Sequence, residues 1–262
     1  VKVLTPGRKK AKTGRIWTYV RDDRNAGSSE PPAVWFAYSP DRQGKHLRPF
    51  RGILQADAFT GYDRLFSAER EGGALTEVAC WANPRRKIHD VYISSKSATA
   101  EEALKRISEL YAIEDEIRGL PESERLAVRQ QRSKVLLTSL HEWMVEKNGT
   151  LSKKSRLGEA FSYVLNQWDA LCYYSDDGLA EADNNTAERA LRAVCLGKKN
   201  YVFFGSDHGG ERGALLYGLI GTCRLNGIDP EAYLRHILSV LPEWPSNRVD
   251  ELLPWNVVLT NK

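Results

Sequence analysis

The sequence predicts an α/β protein with a helical subdomain inserted into it and a helical C-terminus. Three observations carry that expectation. Short β-rich runs occupy the first third of the chain, apolar residues recur at helical spacing through 99–173, and capped helical segments follow from 211 onward. With 262 residues, 42% hydrophobic and 27% charged, the chain can bury a sizeable core and has an ordinary globular balance.

The β-rich part opens with Val1-Lys2-Val3-Leu4, which alternates and then meets a turn at Pro6-Gly7. Arg15 to Val20 and Ala33 to Tyr38 are aromatic and β-branched, as strands are. The Asn, Gly, Ser and Pro residues between Asp23 and Pro32 read as a loop. Ile53 to Ala56 reads as a short buried strand, Thr60 to Leu65 as helix-like, and Leu75 to Trp81 as another strand before the basic cluster Arg85-Arg86-Lys87.

Beyond Ile88 the composition turns to Glu, Lys, Arg and Leu. Leu104, Ile107, Leu110 and Tyr111 repeat at helical period, and Phe161, Val164, Leu165 and Trp168 form one stripe within 157–173. The charged faces of these helices are expected to be solvated. A helix over 211–225 is expected to stop at Asn226-Gly227, and Asp229-Pro230 starts another that ends near Pro242 and Pro245.

Net charge is only +4, but residues 1–24 hold eight basic side chains against Asp22 and Asp23. Such a stretch attracts a phosphate backbone, or is simply a solvated basic hairpin. Cys80, Cys172, Cys195 and Cys223 are scattered without a Cys-x-x-Cys pair, which argues for reduced thiols and a cytoplasmic protein, and against a zinc site or a disulfide framework. No apolar run approaches the roughly 20 residues of a membrane span, and no signal peptide is visible. The first residue is Val1 and the only methionine is Met144, so the chain reads as a fragment, a processed product or a translation from a non-standard start.

Two carboxylates stand out. Asp57 ends a strand-like run, where ligands of α/β sheets gather, though an Asp there also caps turns. Glu188 lies in Asp183-Asn184-Asn185-Thr186-Ala187-Glu188-Arg189-Ala190-Leu191-Arg192, a helix start. It fits a capping box with Asn185 and an ion pair with Arg192 as well as metal ligation. Two acids among basic residues suggest metal-dependent phosphodiester chemistry. Gly205-Ser206-Asp207-His208-Gly209-Gly210 resembles a phosphate-cradling loop only weakly and reads better as a tight turn before the 211–225 helix. Cys80 and Trp81 read as core.

Taken together, Leu54-Gln55-Ala56-Asp57-Ala58, Ala79-Cys80-Trp81-Ala82, Arg85-Arg86-Lys87, the 183–192 run, Gly205-Ser206-Asp207, Gly209-Gly210-Glu211-Arg212, and the tail from Leu225-Asn226-Gly227 to Leu252-Leu253-Pro254-Trp255 resemble the insertion sequence 66 family of bacterial transposases. The resemblance implies a ribonuclease-H-like mixed sheet divided as 1–95, with a helical insertion at 96–176, the core continued at 177–223, and a helical tail at 224–262. It implies an Asp-Asp-Glu triad holding two Mg²⁺ or Mn²⁺ ions, with Asp57 second and Glu188 third, 131 positions apart.

By the same analogy the first Asp and a DNA-binding region belong upstream of Val1, and Asn83 stands where the family commonly has His. Arg85, Arg86, Lys87, Arg189, Arg192, Lys198 and Lys199 are the expected phosphate contacts. The implied partners are transposon ends and target DNA, a second copy of the chain in a synaptic complex, and accessory transposition proteins. The implied setting is the bacterial cytoplasm, at the nucleoid when DNA is bound. The alternatives are a catalytically inactive DNA- or partner-binding remnant and a structure-specific nuclease of the same fold.

Overall fold

A computed structural model describes residues 1–5, 7, 9–41, 50–56 and 60–259, without the side chains of 60 and 61. Pro6, Arg8, Asp57 and Ala58 therefore lie outside the described residues. In chain order the described elements are strands β1 (Lys2–Val3), β2 (Lys12–Thr13), β3 (Arg15–Arg21), β4 (Ala33–Ser39), β5 (Ile53–Gln55) and β6 (Thr76–Val78). Helices α1 (Ala82–Ser95), α2 (Ala98–Glu116) and α3 (Glu122–Val128) follow, then a π turn (Arg129–Ser133) and α4 (Lys134–Thr150). The rest are α5 (Arg156–Asn166), α6 (Trp168–Cys172), α7 (Asn185–Tyr201), α8 (Asp207–Leu225) and α9 (Pro230–Val240). The protein is mixed α/β and mainly helical. Its described strands form three two-stranded sheets, β1–β2 and β3–β4 antiparallel and β5–β6 parallel.

The chain divides into two compact units. The first comprises residues 1–22, 29–42 and 186–262. Its centre is the β3–β4 hairpin, in register from Arg15 opposite Ser39 to Arg21 opposite Ala33. Helix α8 lies on β4, and Val34, Phe36, Val194 and Ala214 form the buried core. Close approach is possible because Gly221 offers no side chain; a Cβ there would lie 2.5 Å from a Val34 methyl. Thr222 completes the join: its hydroxyl donates to the Val34 carbonyl and accepts the Val34 N–H, both at 3.1 Å. Buried edge groups of β4 are thereby satisfied.

The second unit comprises 23–28 and 43–185 and is built on α1 to α6. Its core joins Trp81 and Ile88 to Ile107, Leu140, Met144, Phe161 and Leu171. The Trp81 indole N–H donates to the Leu171 carbonyl at 2.8 Å, and its ring meets Trp168 edge-on. Aromatic area is thus buried without orphaning a donor.

Several boundaries differ from the expectation. Only Thr76–Val78 of the 75–81 run is strand, and the basic cluster belongs to α1, whose Pro84 is tolerated because the first turn needs no donor there. The 157–173 helix is two helices, separated at Gln167 (φ −115°). Strand β5 is not buried: Ile53 is 38% exposed. The 211–225 helix begins earlier, at Asp207, because the Ser206 hydroxyl accepts the Gly209 N–H as an N-cap.

The charged helix faces of the second unit are not all solvated. Arg125, Arg129 and Ser133 continue the same row, i, i+4, i+8, that supplies Leu137, Leu140 and Met144 to the core, and all three are buried. Arg129 donates from Nε (2.9 Å) and Nη2 to the two oxygens of buried Glu114. Its Nη1 donates to the carbonyls of Tyr174, Asp177 and Ala180. A charge this deep is tolerated only because nearly every donor is used.

The close fit of the 174–181 segment gives a stability test. A Cβ on Gly178 would lie 2.2 Å from the Glu122 carbonyl oxygen. Gly178→Ala is expected to cost about 1–3 kcal/mol through overpacking, read as a lower urea midpoint. An unchanged midpoint would contradict this packing.

Candidate nucleic-acid interface

Each candidate residue has a definite placement except Asp57. The backbone leading to it is held by β6: the Ala56 N–H donates to the Val78 carbonyl at 3.0 Å, continuing the β5–β6 register. Gln55 donates from its side-chain amide to the Glu181 carbonyl.

The 183–185 stretch is fixed by Asp183, not by the expected capping box. The Asp183 carboxylate accepts both the backbone N–H (3.0 Å) and the side-chain amide (2.6 Å) of Asn185. With Asp183 in that role, Glu188 is left bare. It stands exposed in the first turn of α7, and no ion pair with Arg192 forms. Glu188, Arg192 and Lys199 fall on one face of α7 at i, i+4 and i+11, with Arg189 and Lys198 flanking it and Val194 turned to the core. Arg189 donates to the Thr186 hydroxyl at 3.0 Å, and Arg192, Lys198 and Lys199 are exposed.

Within the second unit, the basic cluster of α1 is split. Arg85 and Arg86 line a cavity of about 550 Å³, whereas Lys87 turns to the Tyr163 ring, 4.6 Å from its centroid. The cavity is completed by His89, Ser108, Tyr111 and Asn185. Arg86 donates to the Asn83 side-chain oxygen at 2.8 Å, so Asn83, in the position where the resemblance leads one to expect His, orients a guanidinium. Burial pushes the Tyr111 hydroxyl well above its usual range, and the neighbouring Asp183 carboxylate adds to the rise. Tyr111 therefore remains a neutral hydroxyl beside the arginines. His89, Ser108 and Tyr111 escaped the sequence reading; the signal was the pairing of α1 positions 85 and 89 with α2 positions 108 and 111 at helical spacing.

Cys80 is buried, with its thiol raised by desolvation, and its sulfur accepts the Asn184 N–H at 3.4 Å. It belongs to the core, as does Trp81. Among the described residues no three His, Cys, Asp or Glu side chains come together. The described residues alone therefore do not compose a cation site, although carboxylates are the donor type that a hard divalent ion takes.

In the first unit the Gly205–Gly210 stretch has a structural role. Asp207 accepts the Tyr38 hydroxyl at 2.5 Å and pairs with the Lys12 ammonium at 2.6 Å. Gly210 leaves room for the Tyr38 ring, which a Cβ would approach to 2.5 Å. The weak likeness to a phosphate loop is thereby accounted for by a helix cap. His208 faces Glu211 at 3.1 Å.

With this geometry in view, the comparisons define the class first: the model for the transposase IS66 family matches residues 1–212, and that for the IS66 C-terminal element matches 218–255. The chain belongs to the IS66 family of transposases. It is similar to the uncharacterized protein y4hP of Sinorhizobium fredii (strain NBRC 101917 / NGR234), 42% identical over 264 residues, covering 95% of this chain and 48% of the relative. Protein y4qI of the same organism is 36% identical, covering 97% and 48%, and y4jD is 35% identical, covering 97% and 51%. The chain spans about half the length of these curated relatives. No solved structure matches it. No helix among the described residues is long and apolar enough to cross a membrane.

The Asp207 cluster has a signed pH dependence. The Lys12 ammonium and the Tyr38 hydroxyl hold the Asp207 carboxyl below the usual carboxylate range. Its contribution is present above the unfolded-state value of about 3.9. It is lost as pH falls through the lower folded value. Asp207→Asn is expected to be less stable than wild type at pH 7, with the gap closing at the acid end. A gap independent of pH would contradict the assignment.

Proposed function

We propose that this chain is the catalytic part of a DNA transposase that cuts at the ends of an insertion sequence and joins the freed 3′-hydroxyl to target DNA. The observation that carries the reading is the family match across residues 1–212, which takes in both Asp57 and the bare, exposed Glu188. The reaction is in-line substitution at phosphorus. Water attacks the phosphodiester and the bond to the leaving 3′ oxygen breaks; the released 3′-hydroxyl then attacks a target phosphodiester, forming a new P–O bond as the target strand's own 3′ oxygen leaves with a proton.

In this reading the core is ribonuclease-H-like, with the 96–176 helices inserted between the second and third acids. Asp57 and Glu188 are those acids. The family implies a divalent metal, and two Mg²⁺ or Mn²⁺ ions are proposed. The described residues do not themselves make up such a site.

Arg85 and Arg86 grip a phosphate in the α1–α2 cavity, oriented by Asn83, with the His89 ring and the Ser108 and Asn185 groups at hand. Arg189, Arg192, Lys198 and Lys199 give α7 a cationic face that follows a phosphate backbone without reading sequence. Lys87, engaged with Tyr163, contributes charge at longer range. The proposed partners are transposon-end and target DNA, a second copy of the chain, and accessory transposition proteins; the proposed setting is the cytoplasm.

Two measurements on the whole protein test this. Asp57→Asn or Glu188→Gln is expected to abolish DNA cleavage with the melting temperature unchanged; normal cleavage by either removes that residue from the site. Arg85→Ala with Arg86→Ala is expected to weaken DNA binding regardless of sequence and to reduce the salt slope by about one unit per lost phosphate contact. An unchanged slope contradicts the cavity's role. Hydrolysis without strand joining by the wild type would replace the transposase reading with a nuclease one.

A further inference from the structure

The second unit contains a cationic site whose electrostatics are poorly suited to stability alone. Arg125 is 1% exposed. Its Nη2 pairs with Glu181 at 2.8 Å and lies 3.7 Å from Glu114, which Arg129 already engages on both oxygens. The Nε and Nη1 of Arg125 have no hydrogen-bond partner among the described residues. Two buried guanidiniums thus share one deeply buried carboxylate, with Glu181 at the margin. Apolar residues of similar volume commonly do as well or better at such positions, so buried ion pairs are weak devices for stability and better suited to fixing one arrangement.

A second feature marks the same place. The only described π turn begins at Arg129 and separates α3 from α4. Such turns inside helices are frequent at functional sites. Here the turn runs from Arg129 to Ser133, both in the row that faces the 174–181 segment.

What that segment holds gives the network a purpose. Arg129 takes three of its carbonyls, those of Tyr174, Asp177 and Ala180. Gln130 takes the Ser175 carbonyl at 2.7 Å, and Arg125 takes the Glu181 carboxylate. The Glu181 backbone carbonyl accepts from Gln55, two positions before Asp57. Two residues beyond Glu181, Asp183 fixes the start of α7, which carries Glu188. One clamped segment therefore reaches the approach to each proposed acid.

We propose that Arg125 is a positioning residue for the phosphodiester chemistry: through Glu181 it sets the segment that holds Gln55, two positions before Asp57 in sequence, and that continues in sequence into the helix of Glu188. Glu114 and Arg129 are its fixed support. This rests on the transposase reading for its catalytic consequence but not for its structural one.

The test uses Arg125→Met, Arg125→Lys and Gln55→Leu in the whole protein, the last being a half-buried strand-edge change that should leave the fold intact if Arg125→Met does not. Hydrogen exchange comes first. Arg125→Met is expected to raise exchange at 179–185 and at 54–56 while α4 and α5 stay protected. Exchange unchanged in both segments overturns the proposal whatever the activity. Single-turnover cleavage comes second. Arg125→Met and Gln55→Leu are each expected to slow the bound-state step tenfold or more with DNA affinity within twofold. Arg125→Lys should recover part of the rate, and the double variant should be no slower than the slower single one. Equal loss of affinity and rate, or multiplicative losses in the double variant, overturns it. A wild type that binds DNA but never cleaves defeats the transposase reading; exchange then still decides the clamp.

Discussion

The pairing of Arg129 with Glu114 is the constraint on which the helical unit depends. A guanidinium with 0% exposure cannot return to water without opening α2, the π turn and the 174–181 segment together. Its Nε and Nη2 engage the two Glu114 oxygens, and the two N–H groups of Nη1 are shared among three carbonyls. Removing Glu114 alone would leave a buried uncompensated charge, a far larger penalty than the pair's net worth. An otherwise irregular segment therefore has a single path, and Gln55 and Asp183 are placed along it.

The first unit reaches definition by different means. Its hairpin and α8 meet across glycine and a single threonine hydroxyl rather than through buried charge. Its charges lie at the rim, where Asp207 joins Lys12 and Tyr38, and on the solvent face of α7. Helix α7 serves two ends at once. Val194 anchors it in an apolar core, and its opposite face keeps one unpaired carboxylate among four cations. That acid suits the helix N-terminus, and, exposed and free of an ion pair, it is also free to meet a cation.

Much of this was legible in the residues, for reasons that differ by element. Arg15 to Val20 and Ala33 to Tyr38 read as strands because both flank a turn-rich loop and are dense in β-branched and aromatic side chains. The stop at Asn226-Gly227 and restart at Asp229-Pro230 read correctly because caps are local chemistry; Gly227 takes φ +71° and Asp229 accepts the Ala232 N–H. Helix α1 is hard to read from sequence because Pro84 breaks a helix anywhere but in its first turn, where it stands here. The Glu188 capping box failed because Asp183 competes for the same Asn185 N–H, and nothing local decides between two nearby acids. Arg125, Glu114 and Arg129 were missed for a deeper reason. Charged residues are assigned to solvent by type, whereas here Arg125 and Arg129 continue the buried row of Leu137, Leu140 and Met144, and Glu114 continues that of Ile107 and Leu110 in α2.

The central proposal is that Asp57 and Glu188 both serve the divalent cations of a DNA-cutting enzyme. The most direct measurement replaces those cations with Fe²⁺ in the DNA-bound whole protein and adds ascorbate and peroxide, so that radicals cut the polypeptide backbone around the bound iron. The account expects cuts near residues 57 and 188, both suppressed by excess Mg²⁺. Cuts confined to other regions, or at one of the two positions only, would contradict it.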